Sequence, residues 1–393
     1  MREPRRSRFH VLRLILALVV FLLSLLVIFP APTYLAWELS ILVTEWGHIV
    51  ALIALLVLLP GWRSSTTGKV SALLAAVALV LALSPLSRAI PIARSLPNNL
   101  RSAFGGVPPR AMPDAPPRSN PLVFGDLVAR VVTPPVQVTT MPYVVRDEKP
   151  LELDLYRPLH MPREALPVVV MIHGGSWRTG TRKDLAPLNR YLAARGYAIA
   201  TISYRFAPRY PHPAASKDVQ SAIQFLKSNA FRLGIDSSRV VLIGRSAGGQ
   251  LALLAAYTAN DPSIRGAVGL YPPSDQVFGY ENPTNPRVLN STEVLEGFLA
   301  GNPQTAPEAY ASASPINFVG PSTVPTLLIH GAKDELVFAR QSERLDAKLA
   351  AAHRPHFFLR LPWATHGCDY NFNGPCGQLS TYAIERFLAA VMK

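Results

Sequence analysis

Val240-Val241-Leu242-Ile243-Gly244-Arg245-Ser246-Ala247-Gly248-Gly249-Gln250-Leu251 decides how this chain folds. Four apolar residues run into a glycine, a serine stands two positions further on, and a helical run opens at once. So tight a turn from strand to helix leaves little room near the serine, and small residues are required on both sides of it. The strained turn pushes the hydroxyl clear of the backbone, and the helix N-terminus favours negative charge at that point. A lone Gly-x-Ser-x-Gly carries little weight. Its strand–turn–helix setting makes Ser246 a candidate nucleophile.

Outward from this point the pattern repeats. Apolar, β-branched runs at 168–172, 197–204, 324–329 and 357–361 read as strands, as does 240–243. Helical stretches lie at 184–195, 214–233, 248–258, 338–352 and 378–392. Buried strands alternating with helices predict a mostly parallel sheet covered on both faces, beginning near Val136.

The strand at 168–172 runs into His173-Gly174-Gly175-Ser176-Trp177. Adjacent glycines let backbone N–H groups face a cavity without interference from Cβ. With the N–H of Ala247, those of Gly174 and Gly175 form a candidate oxyanion hole. His173 precedes these glycines and is placed to orient the loop. Ser176 and Trp177 stay open between loop packing and pocket lining. A carboxylate past a strand end is where an open sheet collects its site. His330-Gly331-Ala332-Lys333-Asp334-Glu335 supplies Asp334 as candidate acid, with Glu335 the nearest competitor and His330 structural. The last strand leads to Thr365-His366-Gly367, and His366 is the candidate base. The order Ser, acid, His suits acyl transfer through an acyl-enzyme. Such chemistry needs no metal or organic cofactor. Residues 274–315 fall between two strands, as a lid, a pocket wall or a surface excursion.

His173–Trp177, Gly244–Gln250, His330–Val337 and Ala364–Gly367 resemble the hormone-sensitive-lipase-like and acetylesterase branch of the α/β-hydrolases. They are equally similar to bacterial carboxylesterases with feruloyl-esterase-like members. Tyr204-Arg205-Phe206-Ala207-Pro208 resembles a tyrosine-containing segment of the same enzymes. The resemblance spans roughly residues 136–393. It implies an eight-stranded α/β-hydrolase fold and hydrolysis of a small-molecule carboxylic ester through Ser246, Asp334 and His366. One departure stands out: many acetylesterase-type elbows carry an acidic residue before the serine, where this chain has Arg245. Two alternatives are an amide or formamide hydrolase on the same triad and a hydrolase fold used only for binding.

The rest of the chain has a different character. Hydrophobic residues make up 49% of it and charged residues 16%, a balance more apolar than that of an ordinary soluble domain. Apolar runs at 14–29, 39–60 and 70–87 approach the roughly 20 residues that cross a bilayer. Three spans are expected within a membrane segment at 1–93, the first an uncleaved span rather than a signal peptide. The net charge is +14, of which residues 1–130, with 13 Lys and Arg against 5 Asp and Glu, carry more than half. Charge placed there flanks membrane spans, and nucleic acid is not an expected partner. Arg2, Arg5, Arg6, Arg8 and Arg13, then Arg63 and Lys69, put the N-terminus in the cytoplasm of a bacterial-type inner membrane and the catalytic domain outside it. Arg88, Arg94 and Arg101 run against this orientation. Glu45 and His48 lie three residues apart inside the second run, as functional groups or as groups hydrated near the interface. The proline-rich stretch 94–135 reads as a stiff linker with few packing contacts. Cys368 and Cys376 flank a turn at Gly374-Pro375; in an oxidising compartment they are expected to pair, the alternative being two reduced thiols.

Overall fold

Every side chain from Leu166 to Ile172 is buried, and alternation divides them between two cores. Val168, Val170 and Ile172 enter one, Val169 and Met171 the other. The computed structural model describes residues 3–59, 65–129 and 131–393. Arg2 and Arg63, used above for orientation, lie outside the described residues.

The strands are β1 (Val136–Arg146), β2 (Lys149–Pro158), β3 (Leu166–Ile172), β4 (Ala198–Ile202), β5 (Ile235–Arg245), β6 (Ile264–Leu270), β7 (Thr326–Gly331) and β8 (His356–Leu361). They form one sheet in the order β1-β2-β4-β3-β5-β6-β7-β8. β1 pairs antiparallel with β2, and β2 with β4; every other pairing is parallel. The helices are α1 (Glu3–Leu25), α2 (Tyr34–Glu45), α3 (Gly47–Leu58), α4 (Thr66–Phe104), α5 (Ala186–Ala194), α6 (Ala214–Ser228), α7 (Ala230–Leu233), α8 (Ala247–Thr258), α9 (Gln276–Glu281), α10 (Ser291–Leu299), α11 (Pro307–Ser312), α12 (Arg340–Ala351) and α13 (Pro375–Val391). Side chains of α6, α8 and α12 fill one core; those of α5, α13 and the second half of α4 fill the other.

The N-terminal helices depart from three separate spans. α4 has 39 residues and is long and apolar enough to cross a membrane. Its first half packs with α1 and α3 through Val20, Ala54, Ala78 and Ala82 while exposing Val70, Leu73 and Val80. Length and composition alone are a weak argument for one such helix. The run at 39–60 is not a single helix. It breaks at Trp46, and α2 and α3 lie at 83° to each other. At the break Gly47 presses on α4, where a Cβ would stand 2.2 Å from the Ala82 carbonyl oxygen. Glu45 and His48 therefore sit on different helices. Glu45 is neither hydrated nor facing lipid: it is fully buried, accepting from Trp363 Nε1 at 3.3 Å and the Cys376 N–H at 3.0 Å.

Residues 94–135 are not an isolated spacer. Residues 94–104 continue α4, and Leu96 and Leu100 are buried beside Phe387 and Leu388 in the second core. Beyond them the extended chain lies across α13. Gln378 Oε1 accepts from the Val123 N–H at 2.7 Å, and Glu385 Oε2 from the Arg118 N–H at 3.2 Å. Prolines keep this strap extended, and polar side chains of the hydrolase satisfy its backbone. Leu96→Ala and Leu100→Ala are each expected to lower stability by about 2–4 kcal/mol, read by urea unfolding of the full-length protein in detergent. A free linker would show almost no change.

Candidate active site

Ser246 lies between the end of β5 and the start of α8 with φ at 51°, a left-handed conformation for a residue carrying a Cβ. Its small neighbours are sterically required. A Cβ on Gly244 would stand 2.0 Å from the Gly248 carbonyl oxygen, and one on Gly248 2.2 Å from that of Ile172. Gly174 brings the β3 loop against the same turn, its hypothetical Cβ 3.3 Å from that of Ser246. Gly174, Gly175, Ala247, Ser246 and His366 all line one cavity of about 450 Å³.

The loop after β7 carries the candidate acid. Asp334 Oδ2 lies 2.6 Å from His366 Nδ1 and 3.1 Å from His330 Nε2, while Oδ1 accepts from the N–H groups of Leu336 and Val337 at 2.9 and 2.8 Å. Burial opposes ionisation of this carboxyl. The His366 charge and the hydrogen bonds from both imidazoles outweigh it and lower the pKa to about 2. His330 also lies 2.8 Å from the Val337 carbonyl through Nε2, so that nitrogen carries the proton, and Nδ1 meets Ser342 Oγ at 2.7 Å. His330 thus orients the Asp334 carboxyl group. Glu335 turns the other way and accepts from the Ala31 N–H at 2.7 Å. Ser246 Oγ and His366 share the cavity wall without a direct hydrogen bond between them, as is common before substrate binds.

His173 holds the glycine loop. Its Nδ1 donates to the Gly174 carbonyl at 2.7 Å, and its ring stacks on Tyr204 at 4.4 Å. Burial pushes its pKa down, which keeps it neutral. Trp177 both packs and lines the cavity: it stacks on Phe298 at 4.0 Å and donates Nε1 to Gln250 Oε1 at 3.0 Å. The stretch 274–315 is a pocket wall, contributing Phe278, Leu289, Val294 and Leu295 to the cavity. Cys368 and Cys376 are joined, with Cα atoms 5.7 Å apart, in the loop that follows His366. Among the described residues no group of three or more His, Cys, Asp and Glu is arranged to hold a metal.

Two features escaped the sequence reading. Arg245, the unusual elbow residue, is buried and paired with Asp369 at 3.0 Å, and its Nε donates to Tyr271 Oη at 2.7 Å. Tyr271 in turn packs on the His366 ring at 4.3 Å. A buried arginine demands a partner, and an aspartate three residues after the base was the available signal. The second feature is α2. Tyr34 and Trp37 line the cavity, and Trp37 packs with Ala31, Ile41 and Val288. Nothing in the sequence pairs residue 37 with a loop near 288.

Residues 153–349 match the BD-FAE family. Esterase LipC of Mycobacterium tuberculosis is 33% identical over 61% of this chain and 62% of its own length. The chain spans about three fifths of the length of the curated relatives it matches. Among solved structures, a bacterial heroin esterase aligns with a TM-score of 0.59 at 21% identity, over 77% of this chain and 99% of its own. A hyperthermophilic esterase from the archaeon Pyrobaculum calidifontis gives 0.56 at 25%, over 66% and 88%.

Removing one member of the buried ion pair strands the other. Arg245→Met is expected to cost about 3–5 kcal/mol in urea unfolding, and Arg245→Met with Asp369→Leu distinctly less. A double variant that loses the sum of the losses measured for Arg245→Met and Asp369→Leu alone would mean that the pair is not coupled.

Proposed function

The chain belongs to the BD-FAE family of α/β-hydrolase esterases, and we propose that it hydrolyses carboxylic esters through Ser246, His366 and Asp334. The observation that carries this reading is the 2.6 Å contact between Asp334 and His366 on the cavity that Ser246 lines from its strained elbow. His366 takes the proton of Ser246 as the hydroxyl attacks the ester carbonyl, then gives it to the leaving alcohol. Asp334 holds the imidazole tautomer and stabilises the imidazolium. The N–H groups of Gly174, Gly175 and Ala247 take the oxyanion, each worth about 100–1,000-fold in rate. Water then releases the acid by the same route.

The second part of the proposal is anchorage by the helices α1, α3 and α4, with the hydrolase outside the cytoplasm. Leu12, Leu16, Leu22, Leu52, Leu56 and Leu73 are exposed around these helices, a surface suited to lipid. In sequence the arginines precede or open α1, and it is the chain after α1 that meets the hydrolase, through Lys333 on the Val27 carbonyl. A disulfide between Cys368 and Cys376 fits an oxidising compartment.

Ser246→Ala is expected to lower p-nitrophenyl acetate turnover by about 10⁴-fold or more and to abolish labelling by a fluorophosphonate. Retained turnover in that variant removes Ser246 as nucleophile. For the compartment, a peptide spanning residues 362–386, prepared from membranes without reductant, is expected to carry the bridge. Two alkylated thiols there would count against export.

A further inference from the structure

The cavity and the apolar helices share one element, α2, and this sets a class of substrate. One side of α2 faces the site: Tyr34 and Trp37 line the cavity, with the Trp37 ring 6.5 Å from that of His366. Its far end turns through 83° into α3. With α3 along the bilayer normal, a helix at that angle lies in the plane of the membrane surface. Exposed Glu38 suits the polar side of that plane, and exposed Tyr34 suits the headgroup level. The chain leading into α2 exposes Ile28 and Phe29, α2 exposes Leu35, and the hydrolase beside it exposes Phe338 and Tyr370. Phe338 and Tyr370 also line the cavity, so this apolar rim is continuous with the interior. Inside, Phe278, Leu289, Leu295 and Leu336 continue the same character. A volume of about 450 Å³ accommodates a hydrocarbon chain beside the ester group.

We propose that the substrates are esters whose acyl chain is dissolved in the bilayer, and that they reach Ser246 across α2, with Trp37 as the wall that receives the chain. This rests on the ester-hydrolase and anchorage readings above and assigns them a substrate class. A site for water-borne esters has no use for an apolar rim at the membrane surface, where exposed apolar area is costly unless lipid or ligand covers it. In this arrangement the N-terminal segment delivers substrate as well as holds the enzyme, because α2, which links its anchoring helices, is part of the pocket.

The test uses the full-length protein reconstituted in phosphatidylcholine–phosphatidylglycerol vesicles. The long-chain probe is 4-methylumbelliferyl palmitate dissolved in those vesicles; the soluble probe is 4-methylumbelliferyl acetate. At constant bulk palmitate ester, added lipid is expected to lower the palmitate rate in proportion to the mole fraction of ester in the bilayer. Trp37→Ala is expected to lower the ratio of palmitate to acetate kcat/KM by about tenfold, through lost contact with the chain, and Trp37→Phe by less than about threefold. Acetate cleavage without palmitate cleavage overturns the inference and leaves ester hydrolysis standing. So does a palmitate rate indifferent to surface dilution, or a ratio that Trp37→Ala does not move. Failure to cleave either ester overturns the ester-hydrolase reading and the inference with it. Should Trp37→Ala not fold, surface dilution of the wild-type protein decides.

Discussion

The active-site architecture depends on one steric constraint: β5 becomes α8 within a single residue. That turn exists only because the backbones at Gly244 and Gly248 meet with no Cβ between them. The close approach of Gly248 to the Ile172 carbonyl locks the turn onto the end of β3. The glycine loop that starts at His173 is therefore held next to Ser246 by the same contact that exposes the hydroxyl. The strain at Ser246 is sustained by β3, buried along its whole length, beside the buried C-terminal half of β5. Substitution of either glycine would disturb Ser246 and the backbone N–H groups of the glycine loop together.

Around this fixed centre, buried polar ties determine which loops meet. Arg245 joins the elbow to the base loop through Asp369, and Tyr271 fills the angle between that pair and His366. Glu335 and Lys333, on the loop that carries the acid, hold the chain between α1 and α2 through the Ala31 N–H and the Val27 carbonyl. Glu45 does the same for the loop beyond the base. Such contacts contribute little net stability when both partners are present, but each is costly to leave half made. Their effect is to select one register between the N-terminal helices and the hydrolase.

The strand ends that carry Ser246, Asp334 and His366 were legible because each follows a short apolar run and stands in a glycine-containing turn, a local pattern. The strands β1, β2 and β6 were not among the runs singled out: β1 and β2 form an edge hairpin with mixed burial, and β6 is interrupted by Arg265 and Gly266. The choice of Asp334 over Glu335 was readable only as a ranking, since adjacent carboxylates differ by which way the loop turns. The packing of 94–135 was hidden because proline content reports backbone stiffness and says nothing about what an extended strap lies against. α2 was hidden for a related reason. Its hydropathy suits a membrane, and the break at Trp46 comes from contact between Gly47 and Ala82, residues far apart in sequence.

The tie at Glu45 also bears on the order in which the molecule is made. Gly374 gives α13 no side-chain cap, and the free N–H of Cys376 in its first turn is taken by Glu45, 331 positions earlier. The ribosome releases that helix after every strand of the sheet, whereas its capping group emerges ahead of them all. The early helices must wait until α13 is made before this contact can close. Sequence separation of this size makes the closing contact slow to find. Closure thus waits for α13: a product stopped just short of residue 376 has every strand of the sheet and Trp363 Nε1 beside Glu45, but lacks the Cys376 N–H that the carboxyl group holds in the folded chain.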